Sequence, residues 1–429
     1  MQRLAATEPA AGLSLGLTRE GLFVDSAAGA VITDVDGNSF LDFVAGFGSL
    51  NAGHSHPRIV EAIAKQAAAA QQAMSFGSPV RIELAERLLS QIPEGDEYCV
   101  LFATSGGEAV EIAMKLARRA TGRDQVVAFG GGFHGRTQGA LALMGRWSQR
   151  QALPQTSPGA YHVPYPYPLR SPWGPDPQQA VQGTLRFLES SLADPASGWR
   201  PPAAVVVEPV QGNGGMIPAP DGFLTGLRSL CDEHGMVLIV DEVMSGFHRT
   251  GPRFAFEDEG IAPDILVVGK SLSCGLPLAA CIIRRSVAEA SPAFTETSTY
   301  GGNLVACAAA LAAQDVYESE GLGERAARLG EYFVKGLRAV ADRHAIVGEV
   351  RGRGLMVGIE LVTPDGSGDP LPRAADASRM AIRRGLLVYP GGHWPNVIAY
   401  LPPLIIDERD VDTAVGITDD VLSELATHR

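Results

Sequence analysis

The sequence predicts an α/β protein with a mostly parallel sheet in a larger domain, followed by a smaller α+β domain. Three observations carry that prediction. Apolar runs of strand length at 126–129, 203–207, 236–240 and 265–268 alternate with stretches of helical periodicity. The runs are continuous rather than alternating, as expected of strands covered on both faces. Several end at a chemically capable residue: Glu208, Asp241 and, one glycine later, Lys270.

Taken in order, residues 30–42 read as two short strands around the Asp36-Gly37-Asn38 turn. Residues 57–91 carry an Ala/Glu/Leu periodicity that predicts helices, and strand-like runs alternate with helical stretches from Val100 onward. Residues 152–176, rich in Pro, Tyr and Gly, read as a long surface excursion able to wall a site. From about Asn303 a long Ala-rich helical region leads into a C-terminal α+β segment, and 363–370 is a plain turn cluster. The expected organisation is an N-terminal segment, 1–50, contributing to the small domain, a large domain over 51–305 and the small domain over 306–429.

The net charge of −13 argues against nucleic-acid or anionic-membrane partners. The five cysteines are scattered without metal-ligand spacing, which fits reduced thiols in a cytoplasm and no metal site. Glu8 and Pro9 interrupt any signal-peptide core, and no run approaches membrane-spanning length, so a cytoplasmic location is expected.

Only four lysines occur, and Lys270 alone follows an apolar strand. There it is expected to be desolvated, which lowers its pKa and frees a nucleophilic amine. Asp241 ends the neighbouring apolar run, and in open α/β sheets both positions converge beyond the carboxyl ends of the strands. A lysine for an aldehyde and a carboxylate for a ring nitrogen is the pair that pyridoxal 5'-phosphate (PLP) requires.

Ser105, Gly106 and Gly107 open a helical pattern, where backbone N–H groups collect and bind phosphate. By itself this also reads as an N-cap at Ser105 with Glu108 completing a capping box; Lys270 tips it towards phosphate. In Gly130-Gly-Gly-Phe-His-Gly-Arg136, Phe133 reads either as a ring stacked on a planar ligand or as a core aromatic. His134 reads as a hydrogen-bonded structural histidine or a base, Arg136 as a carboxylate clamp or a surface ion pair, and Glu208 as an active-site carboxylate or one paired structurally with an arginine, the site being favoured.

Together these pieces resemble the class III (ω-amino-acid type) PLP-dependent aminotransferases, nearest the 4-aminobutyrate and ornithine branch. The resemblance rests on Gly53-His-Ser-His-Pro57, Ser105-Gly-Gly-Glu-Ala109, Phe133-His-Gly-Arg-Thr137, Glu208-Pro-Val-Gln-Gly212, Asp241-Glu-Val243, Arg249-Thr-Gly251, Gly269-Lys270, Ser298-Thr-Tyr-Gly-Gly-Asn303 and Arg351-Gly-Arg-Gly-Leu355. It implies PLP fold type I with a seven-stranded sheet. It also implies that Lys270 forms a Schiff base with the cofactor and moves the proton between Cα and C4′, while Asp241 pairs with the ring nitrogen. By the same resemblance Val243 and Phe133 cover the two ring faces, and His134 and Glu208 lie at the cofactor. Ser105, Gly106 and Gly107 hold the phosphate, with Thr299 added from the second subunit of a homodimer. Phe47, Arg136 and Tyr400 fall at substrate-contacting positions.

Three departures mark this chain. Asn213 stands where the branch has a glutamate, Tyr400 where it has an arginine before Leu-x-Pro-Pro-Leu, and Met244 where a glutamine is frequent. Losing the glutamate and the arginine together avoids a lone buried charge. The expected activity is amino transfer between a primary or ω-amine and an oxo acid or aldehyde. The alternative is a racemase or epimerase of the same fold, which reprotonates Cα.

Overall fold

The computed structural model describes residues 22–73, 76–151, 159–292 and 295–427. The first 21 residues of the expected N-terminal segment, and 152–158 of the expected excursion, lie outside the described residues.

The chain enters as an antiparallel meander of β1 (Val24–Ala28), β2 (Val31–Asp34) and β3 (Ser39–Asp42). The hairpin read around Asp36-Gly37-Asn38 is present. Asp34 Oδ1 holds it by accepting the N–H groups of Asp36 (3.0 Å) and Asn38 (2.8 Å), and Gly37 supplies the required positive φ. Helices α1 (Pro57–Ala69) and α2 (Pro79–Leu89) follow, each opened by a proline whose missing N–H costs nothing in a first turn.

The large sheet comprises β4 (Tyr98–Ala103), β5 (Val126–Phe129), β6 (Ala160–Val163), β7 (Ala204–Val207), β10 (Val237–Asp241), β11 (Ile265–Val268) and β12 (Ala279–Arg284). Between β7 and β10 the chain makes a small hairpin, β8 (Val210–Gln211) and β9 (Ile217–Pro218). The spatial order is β4-β12-β11-β10-β7-β5-β6, so this sheet has the seven strands expected. Only β12 runs against the rest, pairing antiparallel with β11 and β4. One face of the sheet packs Val206, Ile239 and Val267 against α3 (Gly106–Thr121) through Val110, Ala113 and Leu116. The other packs Val205, Val240 and Leu266 in the main core with Leu224 and Leu227 of α5 (Phe223–His234), which follows α4 (Pro177–Ala193). Burial on both faces is why these strands read as unbroken apolar runs.

The excursion reading is corrected in part. Residues 160–163 are not surface loop but the edge strand β6, paired in parallel with β5, and Tyr165 and Tyr167 beyond it are buried. Two prolines just after a four-residue run hid a strand that pairs along one side only.

C-terminal to the large sheet come α6 (Leu304–Ser319), α7 (Leu322–Ala341), β13 (Val347–Arg353), β14 (Met356–Leu361), α8 (Ala374–Ile382), β15 (Leu386–Leu387), β16 (Tyr389–Gly391), β17 (Val397–Tyr400) and α9 (Glu408–Thr427). Strands β13-β14-β17-β16 form an antiparallel sheet, while β15 adds in parallel to β3 and so joins the two chain ends. Arg249, wholly buried, binds this region to the start of the chain: its guanidinium donates to the carbonyls of Leu355 and Pro402 and to Asn51 Oδ1. Among the described residues no helix is long and apolar enough to cross a membrane.

Candidate active site

The carboxyl ends of β5, β7, β10 and β11 deliver the expected residues to one place. Asp241 closes β10, and both of its oxygens are engaged: Oδ1 accepts the Val243 N–H at 3.0 Å, and Oδ2 meets His134 Nδ1 at 2.8 Å. Both side chains are buried, so this is a desolvated pair. Burial pulls the His134 pKa down, but the Asp241 carboxylate outweighs it and raises the imidazole above its ordinary value. His134 is therefore a hydrogen-bonded histidine, placed where it orients Asp241.

Glu208, at the end of β7, is also buried and accepts the N–H groups of Phe133 (2.8 Å) and Gly212 (3.0 Å). Burial, opposed by His134 and reinforced by Asp241, pushes it up to about 7. It thus ties the Gly130–Arg136 loop to the β8–β9 hairpin. Lys270 stands two residues past β11 with φ at 45°, a left-handed conformation costing on the order of 1 kcal/mol or more that the surrounding fold must hold. Burial lowers its amine to about 8, against the pull of Asp241 and Glu208. An amine, two carboxylates and an imidazolium-type donor thus share one electrostatic environment.

At the start of α3, Ser105 is the N-cap, accepting the Glu108 N–H at 3.3 Å, and Glu108 reaches back to the Thr104 N–H at 2.7 Å. The Ser105 cap is present, but Glu108 returns to Thr104 rather than to the Ser105 N–H that a capping box requires, and the Gly106 and Gly107 N–H groups are left without intrahelical partners. A Cβ on Gly106 would lie 2.9 and 3.0 Å from the Val243 methyls, and one on Gly135 would lie 2.6 Å from Gly107 Cα. The Ser105–Gly107 turn, the Phe133–Arg136 loop and Val243 are thus held in a contact only glycine permits. The residues fit PLP: a desolvated amine, a carboxylate locked by two donors, and a helix start suited to phosphate.

The remaining candidates are placed as follows. The exposed Arg136 guanidinium lies over the Phe133 ring at 5.7 Å and makes no ion pair among the described residues. Phe47, with φ of 59°, meets Tyr389 edge-on at 5.4 Å. Thr299 lies on an exposed segment, its carbonyl accepting Gln72 Nε2 at 2.7 Å.

Tyr400 is corrected. It is fully buried, packs edge-on against Phe43 and Phe333, and its hydroxyl pairs with Thr418 on α9 at 2.9 Å. Side chains alternate along a strand, so the β17 residue facing Phe47, Met244 and Tyr389 is Ala399. None of these four side chains carries a positive charge.

Residues that sequence reasoning passed over also gather here. Tyr389 meets Phe47, while Gln211 and His393 converge on Gly131; Gln211 lay inside a recognised motif, while Tyr389 and His393 had no spacing signal to find them by.

Comparisons with known proteins agree. Residues 17–422 match the family model described as "Aminotransferase class-III". The chain is 39% identical over 410 residues to diaminobutyrate–2-oxoglutarate aminotransferase of Rhizobium meliloti, covering 91% of this chain and 86% of that protein. It is 37% identical to 4-aminobutyrate aminotransferase of Escherichia coli, over 94% of both chains. Among solved structures, an amine transaminase of an uncultivated Pseudomonas species in PLP-bound form superposes with a TM-score of 0.88 at 34% identity, covering 94% of this chain and 95% of that one.

Proposed function

The chain belongs to the class-III aminotransferases and carries out PLP-dependent transamination, and from that premise we propose that its donors are ω-amines and its acceptor an oxo acid. The cofactor, when bound, supplies an aldehyde for amines and a ring that accepts the electrons released at Cα. We assign Lys270 to hold that aldehyde and, once displaced, to carry the proton from Cα to C4′. The desolvated amine supports this, being far more available as a base than an ordinary lysine. Asp241 is assigned to the ring nitrogen, with His134 and the Val243 N–H keeping its carboxylate in position. Ser105, Gly106 and Gly107 are assigned to the phosphate, and Phe133 and Val243 to the two ring faces.

The observation that carries the substrate proposal is the neutral wall of Phe47, Met244 and Ala399 beside Asn213, which offers no cation to an α-carboxylate. The relatives' names point the same way, since diaminobutyrate and 4-aminobutyrate both bear a terminal amine. We further propose a homodimer in which Thr299 completes the partner's phosphate site; Phe76 (75% exposed) and Tyr300 (63%) support an apolar contact there. The five unpaired thiols support a reducing cytoplasm.

The test is amino transfer by the holoenzyme from 4-aminobutyrate, 2,4-diaminobutyrate and α-amino acids to 2-oxoglutarate. Donation of ω-amines at about tenfold or greater kcat/KM over alanine is expected. Preference for alanine would overturn the donor assignment. Cα–H exchange with inversion and no amino transfer would instead establish the epimerase alternative, which the family relationship does not favour.

A further inference from the structure

Among the described residues, four buried polar atoms in one neighbourhood lack partners: Arg146 Nη2, Tyr389 Oη, His393 Nε2 and Gln211 Oε1. Orphaned polar atoms are rare in native interiors, and four together point to a ligand that supplies what the protein omits.

Their closeness is set by glycines. A Cβ on Gly131, whose φ is 80°, would lie 1.8 Å from His393 Nε2 and 2.7 Å from Gln211 Oε1. A Cβ on Gly145, beside Arg146, would lie 2.0 Å from the Gly131 nitrogen, so the turn carrying Arg146 rests on that same glycine. Tyr389 bounds the other side. A Cβ on Gly391 would lie 3.4 Å from the Tyr389 ring, 3.7 Å from Ala399 Cβ and 3.9 Å from the Asn213 carbonyl, and Phe47 meets the Tyr389 ring edge-on. The orphaned atoms therefore adjoin the neutral substrate wall.

The charges favour an anion. The Arg146 guanidinium forms no ion pair among the described residues; it acts electrostatically on both Tyr389 and His393. Burial, together with Arg146, drives the His393 pKa down to about 4, so near neutrality His393 brings no second cation. The Glu208 carboxyl also acts on Tyr389, but burial pushes it up to about 7 and its oxygens are held by the Phe133 and Gly212 N–H groups. A half-buried guanidinium beside an unsatisfied phenol has the donor set of a carboxylate receptor.

We propose that Arg146 and Tyr389, flanked by His393 and Gln211, form a subsite for a substrate carboxylate, replacing the grip that the neutral Ala399 and Asn213 positions lack. This rests on the transamination reading above. The guanidinium and the phenolic O–H donate to the carboxylate oxygens, and the apolar side formed by Phe47 shields the pair from water.

The test uses the holoenzyme and its Arg146→Gln and Tyr389→Phe variants, with Arg136→Gln alongside. Glutarate, a dicarboxylate with neither amine nor carbonyl to react, is titrated by calorimetry. Its Kd should rise about tenfold or more in Arg146→Gln and about threefold in Tyr389→Phe, as loss of a charge-assisted and of a neutral hydrogen bond requires. In acceptor-free single turnovers, the rate ratio of 4-aminobutyrate to butylamine should fall by a similar factor in Arg146→Gln. Unchanged glutarate binding in both variants overturns the subsite. So does an unchanged rate ratio, which would mark Arg146 as structural, or a loss confined to Arg136→Gln. Glutarate binding needs no turnover, so failure of the wild-type enzyme to transfer any amine would count against the proposed function alone.

Discussion

Replacing Tyr400 by phenylalanine separates two accounts of β17. The ring is fully buried between Phe43 and Phe333, at centroid distances of 6.4 and 5.1 Å, and phenylalanine fills the same space. What disappears is one hydroxyl, 2.9 Å from Thr418 Oγ1. Thr418 keeps its own bond to the Ala414 carbonyl at 2.7 Å, so no buried polar group is stranded. The loss is that of one neutral hydrogen bond, about 1 kcal/mol. In a chain this long that lowers the thermal midpoint by about 2 °C or less. Thermal denaturation of the holoenzyme and initial rates with 4-aminobutyrate measure both sides, and kcat/KM should stay within about twofold of wild type, as for substitutions remote from a site. By contrast, Ala399→Val adds two methyl groups beside Phe47, Met244 and Tyr389 and should cost about tenfold in kcat/KM through overpacking. If Tyr400→Phe instead changed kcat/KM by about tenfold with an unaltered midpoint, the strand-alternation reasoning would be refuted.

Other outcomes follow from the same geometry. Gly106→Ala drives a methyl to within 3.0 Å of the Val243 side chain and should raise the Kd for PLP by about tenfold, measured by equilibrium dialysis of the apoprotein. Lys270 must lose its proton to react. Because its pKa is depressed to about 8, the rate at which apoprotein takes up PLP should climb with pH to a midpoint near 8; a midpoint near 10.5 would contradict the desolvation. Arg249→Met strands Asn51 Oδ1 and the carbonyls of Leu355 and Pro402 in the interior, and should cost about 3 kcal/mol or more in urea denaturation.

How much was legible depended on how locally each feature is encoded. β5, β10 and β11 were readable because burial on both faces demands unbroken apolar residues, a pattern written in consecutive positions. The positions of Lys270, Asp241 and Glu208 at the sheet's carboxyl edge were readable because each stands at or within two residues of the end of such a run. β6 was missed because an edge strand of four residues carries little periodicity and is flanked by prolines. Tyr400 was misplaced because a motif match counts positions but does not say which face of a strand they occupy, and one residue in register reverses the answer.

The sequence by itself determined the α/β class, the family, the cofactor and the place of Lys270 just beyond a buried strand. These follow from strand hydrophobicity and from motifs whose members lie within a few residues of one another. Only the tertiary structure decided that His134 and the Val243 N–H both hold Asp241, that Ala399 rather than Tyr400 faces Phe47 and Met244, and that Arg146, Gln211, Tyr389 and His393 leave polar atoms unpaired together among the described residues. Those residues come from different loops and sheets. Their partnership arises from how buried faces pack and where glycines let backbones touch, and no short-range pattern in the chain records it.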